Sequence, residues 1–254
     1  MWMRSSMTYR FSFVLTFVGN VVLTGLDFIA ILIMFAHVDA LGGFSVAEVG
    51  LLYGTTSFAL SVANLLTGEL FRVGTRIRDG SLDVLFVRPV PVFVQLAADR
   101  FALRRLGRAV QGLVVLAWAL PRVDVEWTAG RVGLLVMMLL AGGAIFVAIF
   151  VFGAVFQFYA QDAAEVQNSF TYGGSTLLQY PPTIFARELV QGVTFVVPLA
   201  FVNWIPAMRL LGRDDPLGLP GCVDFLSPVV AGVLLLGAGL AWRRALGTYR
   251  STGS

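Results

Sequence analysis

The chain has 254 residues, 57% of them hydrophobic and only 13% charged, with a formal net charge of +3 and a mean hydropathy of +0.82. Soluble domains carry about a quarter charged residues, so this composition excludes a water-soluble globular protein and fits a surface that faces lipid. All 18 basic residues are arginine, and they gather beside apolar runs, which points away from a nucleic-acid site and towards a membrane boundary.

In chain order, the first apolar run covers residues 13–35, after Arg4 and Arg10 and before His37 and Asp39. It is too long for a signal-peptide core and reads as a retained span. The second covers 49–70 and is followed by a charged loop at 71–100. The third, 106–120, is closed by Pro121. The fourth, 132–159, carries no charge and exceeds what a roughly 30 Å hydrocarbon core needs at about 1.5 Å per residue. A fifth apolar stretch at 164–180 is cut by Pro181-Pro182, and a last one at 225–242 precedes Arg243 and Arg244. Between them, residues 183–208 are apolar but contain Arg187, Glu188, Pro198 and Pro206. That segment reads either as a further span or as helices re-entering the membrane.

Arginine placement chooses between the two. With both termini and the loop after the second span in the cytoplasm, the inside holds Arg4 and Arg10, then Arg72, Arg76, Arg78, Arg88, Arg100, Arg104, Arg105 and Arg108, then Arg243, Arg244 and Arg250. These are thirteen of the 18. An extra span would put the last three outside. The expectation is therefore an all-α membrane protein of six transmembrane helices with cytoplasmic N- and C-termini, one permease domain over 1–254. External re-entrant helices, marked by Tyr180, Pro181, Pro198 and Pro206, lie between the fifth and sixth spans. Broken helices at membrane depth survive where protein or water satisfies the freed backbone.

Covalent chemistry is poorly provided for. A phosphate-binding loop of the G-x-x-x-x-G-K type needs a lysine, and the chain has none. The single histidine, His37, has no nucleophile or second ligand near it in sequence, and no G-x-S-x-G elbow accompanies it. Cys222 is the only cysteine, which rules out an intrachain disulfide or a cysteine metal cluster. No catalytic residue, metal site or cofactor is expected on this chain.

The most informative stretch is Arg78-Asp79-Gly80-Ser81-Leu82-Asp83-Val84-Leu85-Phe86-Val87-Arg88-Pro89. Gly80 permits a turn, Ser81 is placed to cap a short helix carrying Leu82, Leu85 and Phe86 on one side, and Arg88-Pro89 stops it. Such a helix suits docking into a partner's groove, or lying on anionic lipid.

The same stretch resembles the cytoplasmic loop of ABC-2 type permease subunits, in the branch with an R-x-G-x-L-D-x-L-L-x-R-P pattern after the second span. Phe86 stands here where leucine is usual. Residues 165–206, with Phe170-Thr171-Tyr172-Gly173-Gly174, Tyr180-Pro181 and Ala200-Phe201-Val202-Asn203, and the tail Tyr249-Arg250-Ser251-Thr252-Gly253-Ser254, are similar to the same branch. The resemblance implies a multi-pass permease in a bacterial cell membrane, forming half of an efflux pathway. It implies partners as well: an ABC ATP-binding subunit that holds ATP and Mg and seats the coupling loop, a second permease, identical or paralogous, and membrane lipid.

Within the spans, Ser57, Ser61, Asn64 and Gly68 form one small polar stripe on the second helix. Two uses stay open for it, close helix packing and lining a transport path. Asp27 is the one ionisable residue deep in a span, a candidate for cargo contact or for a hydrogen bond to a neighbouring helix. Together with Asp162 and Glu165 it would favour a cationic or amphipathic drug-like cargo; lipid, peptide and glycan stay open. The rival functions are a self-sufficient channel, which would conduct without ATP, a membrane-embedded enzyme, which should converge several His, Asp and Glu residues, and a structural anchor, which needs no re-entrant helices.

Overall fold

The computed structural model describes residues 10–99, 103–160 and 164–249. Among the described residues the chain is helical, and the one strand-type pairing is an isolated bridge between Leu41 and Phe44 that closes a turn. Helix α1 (Arg10–Phe35) ends where the His37 ring nitrogen Nδ1 donates to the Ile33 carbonyl at 2.9 Å. His37 thus finishes a helix, which is the plain structural use of its imidazole.

Helix α2 (Val46–Thr67) begins with a capping box: the Ser45 side chain accepts from the Glu48 amide while the Glu48 carboxylate accepts from the Ser45 amide. It passes through a 3-10 turn (Gly68–Arg72) into α3 (Val73–Arg78), giving 33 continuous helical residues. The loop that follows holds two short helices, α4 (Asp83–Phe86) and α5 (Val92–Ala98). Then come α6 (Leu103–Ala119) and the 31-residue α7 (Ala129–Tyr159). The fifth apolar stretch is a composite: α8 (Ala164–Asn168), a π turn (Ser169–Gly173) and α9 (Gly174–Leu178). Helix α12 (Ser227–Thr248) is the last.

Three of these stretches are long and apolar enough to cross a membrane, Val46–Arg78, Ala129–Tyr159 and Ser227–Thr248, while Gly25–Phe35 and Leu106–Ala119 are shorter apolar helices. Residues 183–208 contain no helix of that length. They hold a 3-10 turn (Pro182–Ile184), α10 (Arg187–Gln191) running into a π turn (Gly192–Val196), another 3-10 turn (Leu199–Phe201), and α11 (Trp204–Leu211). Pro206 sits in the first turn of α11, where its missing N–H costs no helical bond.

Helix α2 is the axis of the main core. It packs against α6, α7 and α1, and glycines set the closest crossing: a Cβ on Gly54 would stand 2.8 Å from the Leu116 backbone nitrogen, and one on Gly112 would stand 2.9 Å from that of Phe58. Small residues let helix backbones approach where lipid offers no hydrophobic drive for association. A second core, containing Leu70, Val73, Ile77, Leu82, Leu85, Leu96, Val151, Ala154 and Trp242, joins α3, α4 and α5 to the adjoining ends of α7 and α12.

At the opposite end, Arg213 grips Glu48 through two nitrogens at 2.7 and 2.9 Å, donates to the Gly43 carbonyl, and lies 4.3 Å over the Phe44 ring. Thr183 donates to the Gly42 carbonyl at 2.8 Å. Both flanks of the broken segment are therefore fastened at the α1–α2 turn. Its middle, Val196–Pro198, lines an apolar groove of about 510 Å³ beside Phe152, Phe156 and Phe170.

Candidate coupling surface and transmembrane cavity

The loop after α3 is built by local geometry. Gly80 has φ +69°, a left-handed conformation open to glycine and costly for residues with a Cβ. Asp79 Oδ1 accepts from the Ser81 amide at 3.0 Å. Hydrogen bonds from the Ser81 side chain and backbone hold the Asp79 carboxyl below its ordinary range. Ser81 does not cap the helix as its position suggested: the N-cap is Leu82, with no side-chain bond. The hydroxyl is engaged instead with the Asp79 carboxylate two residues back. Gln95 staples the far side, its Nε2 donating to Leu85 O at 2.8 Å and Val90 O at 2.6 Å, and Arg76 pairs with Asp99.

The apolar face expected to dock, Leu82, Leu85 and Phe86, is divided. Leu82 and Leu85 are 0% and 6% exposed because they fill the second core. What α4 and its flanks present outward is Val84, Phe86, Val87, Val90 and Val94, with Val87 86% exposed, bordered by the exposed Arg78 and Arg88 and by Pro89. A four-residue helix cannot hold itself together; burial of Leu82 and Leu85 seats it. The end of α12 adds to this seat. Tyr249 donates its hydroxyl to Asp83 Oδ1 at 2.9 Å and stacks on Phe86 at 5.6 Å with an interplanar angle of 4°. Phe158 meets Tyr249 and Trp242 edge-on.

The polar stripe on α2 turns inward. Ser57, Ser61 and Asn64 are buried: Ser61 Oγ donates to Ser57 O at 2.6 Å, Gln179 donates to Ser57 Oγ at 3.3 Å, and Asn64 Nδ2 donates to the Tyr172 hydroxyl at 2.6 Å. The stripe binds α2 to the α8–α9 composite. Ser57 alone of the three also lines a polar cavity of about 290 Å³. That cavity brings Asp27 of α1 together with Tyr53 of α2, Arg108 of α6, and Tyr172, Ser175, Thr176, Gln179 and Tyr180. Arg108 lies 5.5 Å from the Tyr172 ring centroid, and Gln111 donates to the Tyr53 hydroxyl at 2.8 Å. Tyr180 therefore belongs to the cavity, and its carbonyl accepts from the Trp204 indole. Pro181 leads into the 3-10 turn, while Pro198 lines the apolar groove.

Two buried amides, silent in the sequence reading, connect these regions. Gln157 Oε1 accepts from the Gly74 amide at 2.7 Å, and its Nε2 donates to Gln167 Oε1 at 2.6 Å; Gln167 Nε2 donates in turn to Phe150 O. Glutamine in the middle of an apolar run is the signal that could have found them, since a buried amide must be satisfied.

A profile of the ABC-2 family transporter proteins matches residues 21–253, nearly the whole length. The chain belongs to the ABC-2 transporter family. It is a transport permease of an ABC system, a multi-pass membrane protein and not itself an enzyme. No curated protein and no solved structure matches this ABC-2 permease. Among its described residues no cluster of three or more His, Cys, Asp or Glu side chains could hold a metal ion. Arg100, Asp162 and Arg250, with the tail motif beyond Tyr249, lie outside the described residues.

Proposed function

We propose that this ABC-2 permease forms half of an export pathway in a bacterial cell membrane, crossing it six times with both termini in the cytoplasm. A separate ABC ATP-binding subunit, carrying ATP and Mg, delivers its stroke through the loop at 71–100. A second permease, identical or paralogous, completes the pathway. The helices α1, α2–α3, α6, α7, α8–α9 and α12 are the six crossings, and residues 183–208 are the external re-entrant segment.

The observation that carries the coupling role is the strip of Val84, Phe86, Val87, Val90 and Val94. Aliphatic side chains stand exposed on a segment that is firmly seated against two spans, a combination suited to receiving force from a partner. Co-expression with the ATPase subunit tests it. Val84→Glu with Val87→Glu should leave the permease inserted and folded yet abolish co-purification of the ATPase. Retained co-purification, with normal stimulation of ATP hydrolysis, would sink the assignment.

The cavity of Asp27, Ser57, Arg108 and Tyr172 is the half-pathway. Asp27 alone would favour a cation. With Arg108 in the same wall the cavity is charge-balanced and rich in hydroxyl and amide groups, which favours a polar or amphipathic cargo over a plain lipophilic cation.

A further inference from the structure

We infer that Tyr249 is a positioning residue: its hydroxyl and ring fix the orientation of helix α4, so that the end of the last span sets how the exposed strip is presented to the ATPase. The inference rests on the coupling role proposed above. Leu82 and Leu85 anchor one side of α4 to the second core. A short helix pinned along one side is still free to roll. Tyr249 removes that freedom by holding two further points, one turn apart on the flank beside the anchor, the Asp83 carboxylate at 2.9 Å and the face of Phe86 at 5.6 Å. The tyrosine is itself braced edge-on by Phe158 of α7. One side chain thus joins the coupling helix to the cytoplasmic-type ends of two spans. The phenol is pushed up to about 12 by burial and by the Asp83 carboxylate, so it keeps the proton it donates at physiological pH.

Amide hydrogen exchange on the full chain in lipid nanodiscs tests this without reference to any cargo. In Tyr249→Phe and in Asp83→Ala, amides of residues 82–90 should exchange about tenfold faster, the usual effect of losing a hydrogen bond to a charged group. Asp83→Asn keeps a carbonyl acceptor and should stay near wild type. Combining Tyr249→Phe with Asp83→Ala should add nothing to either alone. A purely structural role predicts loosening that extends into α7, and no rescue by asparagine. Unchanged exchange in Tyr249→Phe overturns the inference, as does loosening that leaves affinity for the ATPase subunit unaltered. If instead the Val84→Glu, Val87→Glu protein binds the ATPase normally, the coupling role fails while the exchange result still decides whether Tyr249 fixes α4.

Discussion

At the scale of single residues, burial separates side chains that look alike in sequence. Leu82, Val84, Leu85 and Val87 alternate within six positions, yet the leucines are inside and the valines outside. Leu82→Asp or Leu85→Asp should destabilise the fold by several kcal/mol, since a carboxylate would enter an apolar core without a partner. Thermal unfolding in detergent and expression level both report it. The valine substitutions should leave those measures unchanged. Apolar spacing alone announced a one-sided helix; it could not announce that the occupied side faces the chain's own spans, because that depends on Val151, Ala154 and Trp242 far along the sequence. Asp27 was legible for the opposite reason, as a lone carboxylate in an apolar run. Its cavity neighbours Arg108 and Gln179 were not, for nothing local says that α6 and α9 converge on α1. Tyr249 supplies a second measurement. A group whose neutral form is favoured in the folded state contributes stability below its ordinary pKa near 10, and loses it as pH rises through about 12. Ultraviolet titration of wild type minus Tyr249→Phe should show that late ionisation, and Asp83→Ala should bring it earlier.

Among helical elements, interruptions carry the information. The π turn at Ser169–Gly173 frees backbone carbonyls, and local hydroxyls take them up: Thr171 donates to Gln167 O at 2.8 Å and Thr176 to Tyr172 O at 3.0 Å. Tyr172 faces the cavity from within this turn. The Ser and Thr content of the run was visible; the π geometry was not, because it follows from the packing of α9 under Leu199 and of Gln167 against Gly153. A Cβ at Gly153 would collide with the Gln167 side chain. Gly153→Ala should therefore displace Gln167, break its buried bonds with Gln157 and the Phe150 carbonyl, and lower stability by about 1–3 kcal/mol, the cost of an unsatisfied buried amide. Thermal unfolding measures it.

For the whole molecule, the order of apolar stretches was readable along nearly the full chain, because hydropathy is summed over many residues and tolerates local error. The path of residues 183–208 was only half readable: the prolines foretold broken helices, while the seat of Val196–Pro198 depends on Phe156 and Phe170 leaving a groove for it. Topology has a built-in reporter. Cys222 is exposed and is the only cysteine in the chain, in the loop between α11 and α12. A membrane-impermeant maleimide should label it from outside intact cells, and labelling only after lysis would reverse the orientation. The Gln157–Gln167 bridge bears on how such permeases could be recombined. The Gly74 amide is satisfied by an amide 83 positions away, so the 3-10 junction after α2 is not heritable on its own. A chimera that borrows residues 68–99 from a relative would import that junction without its acceptor, whereas one that also takes 150–170 carries the whole joint. The natural module of exchange here is two distant pieces of chain that must travel together.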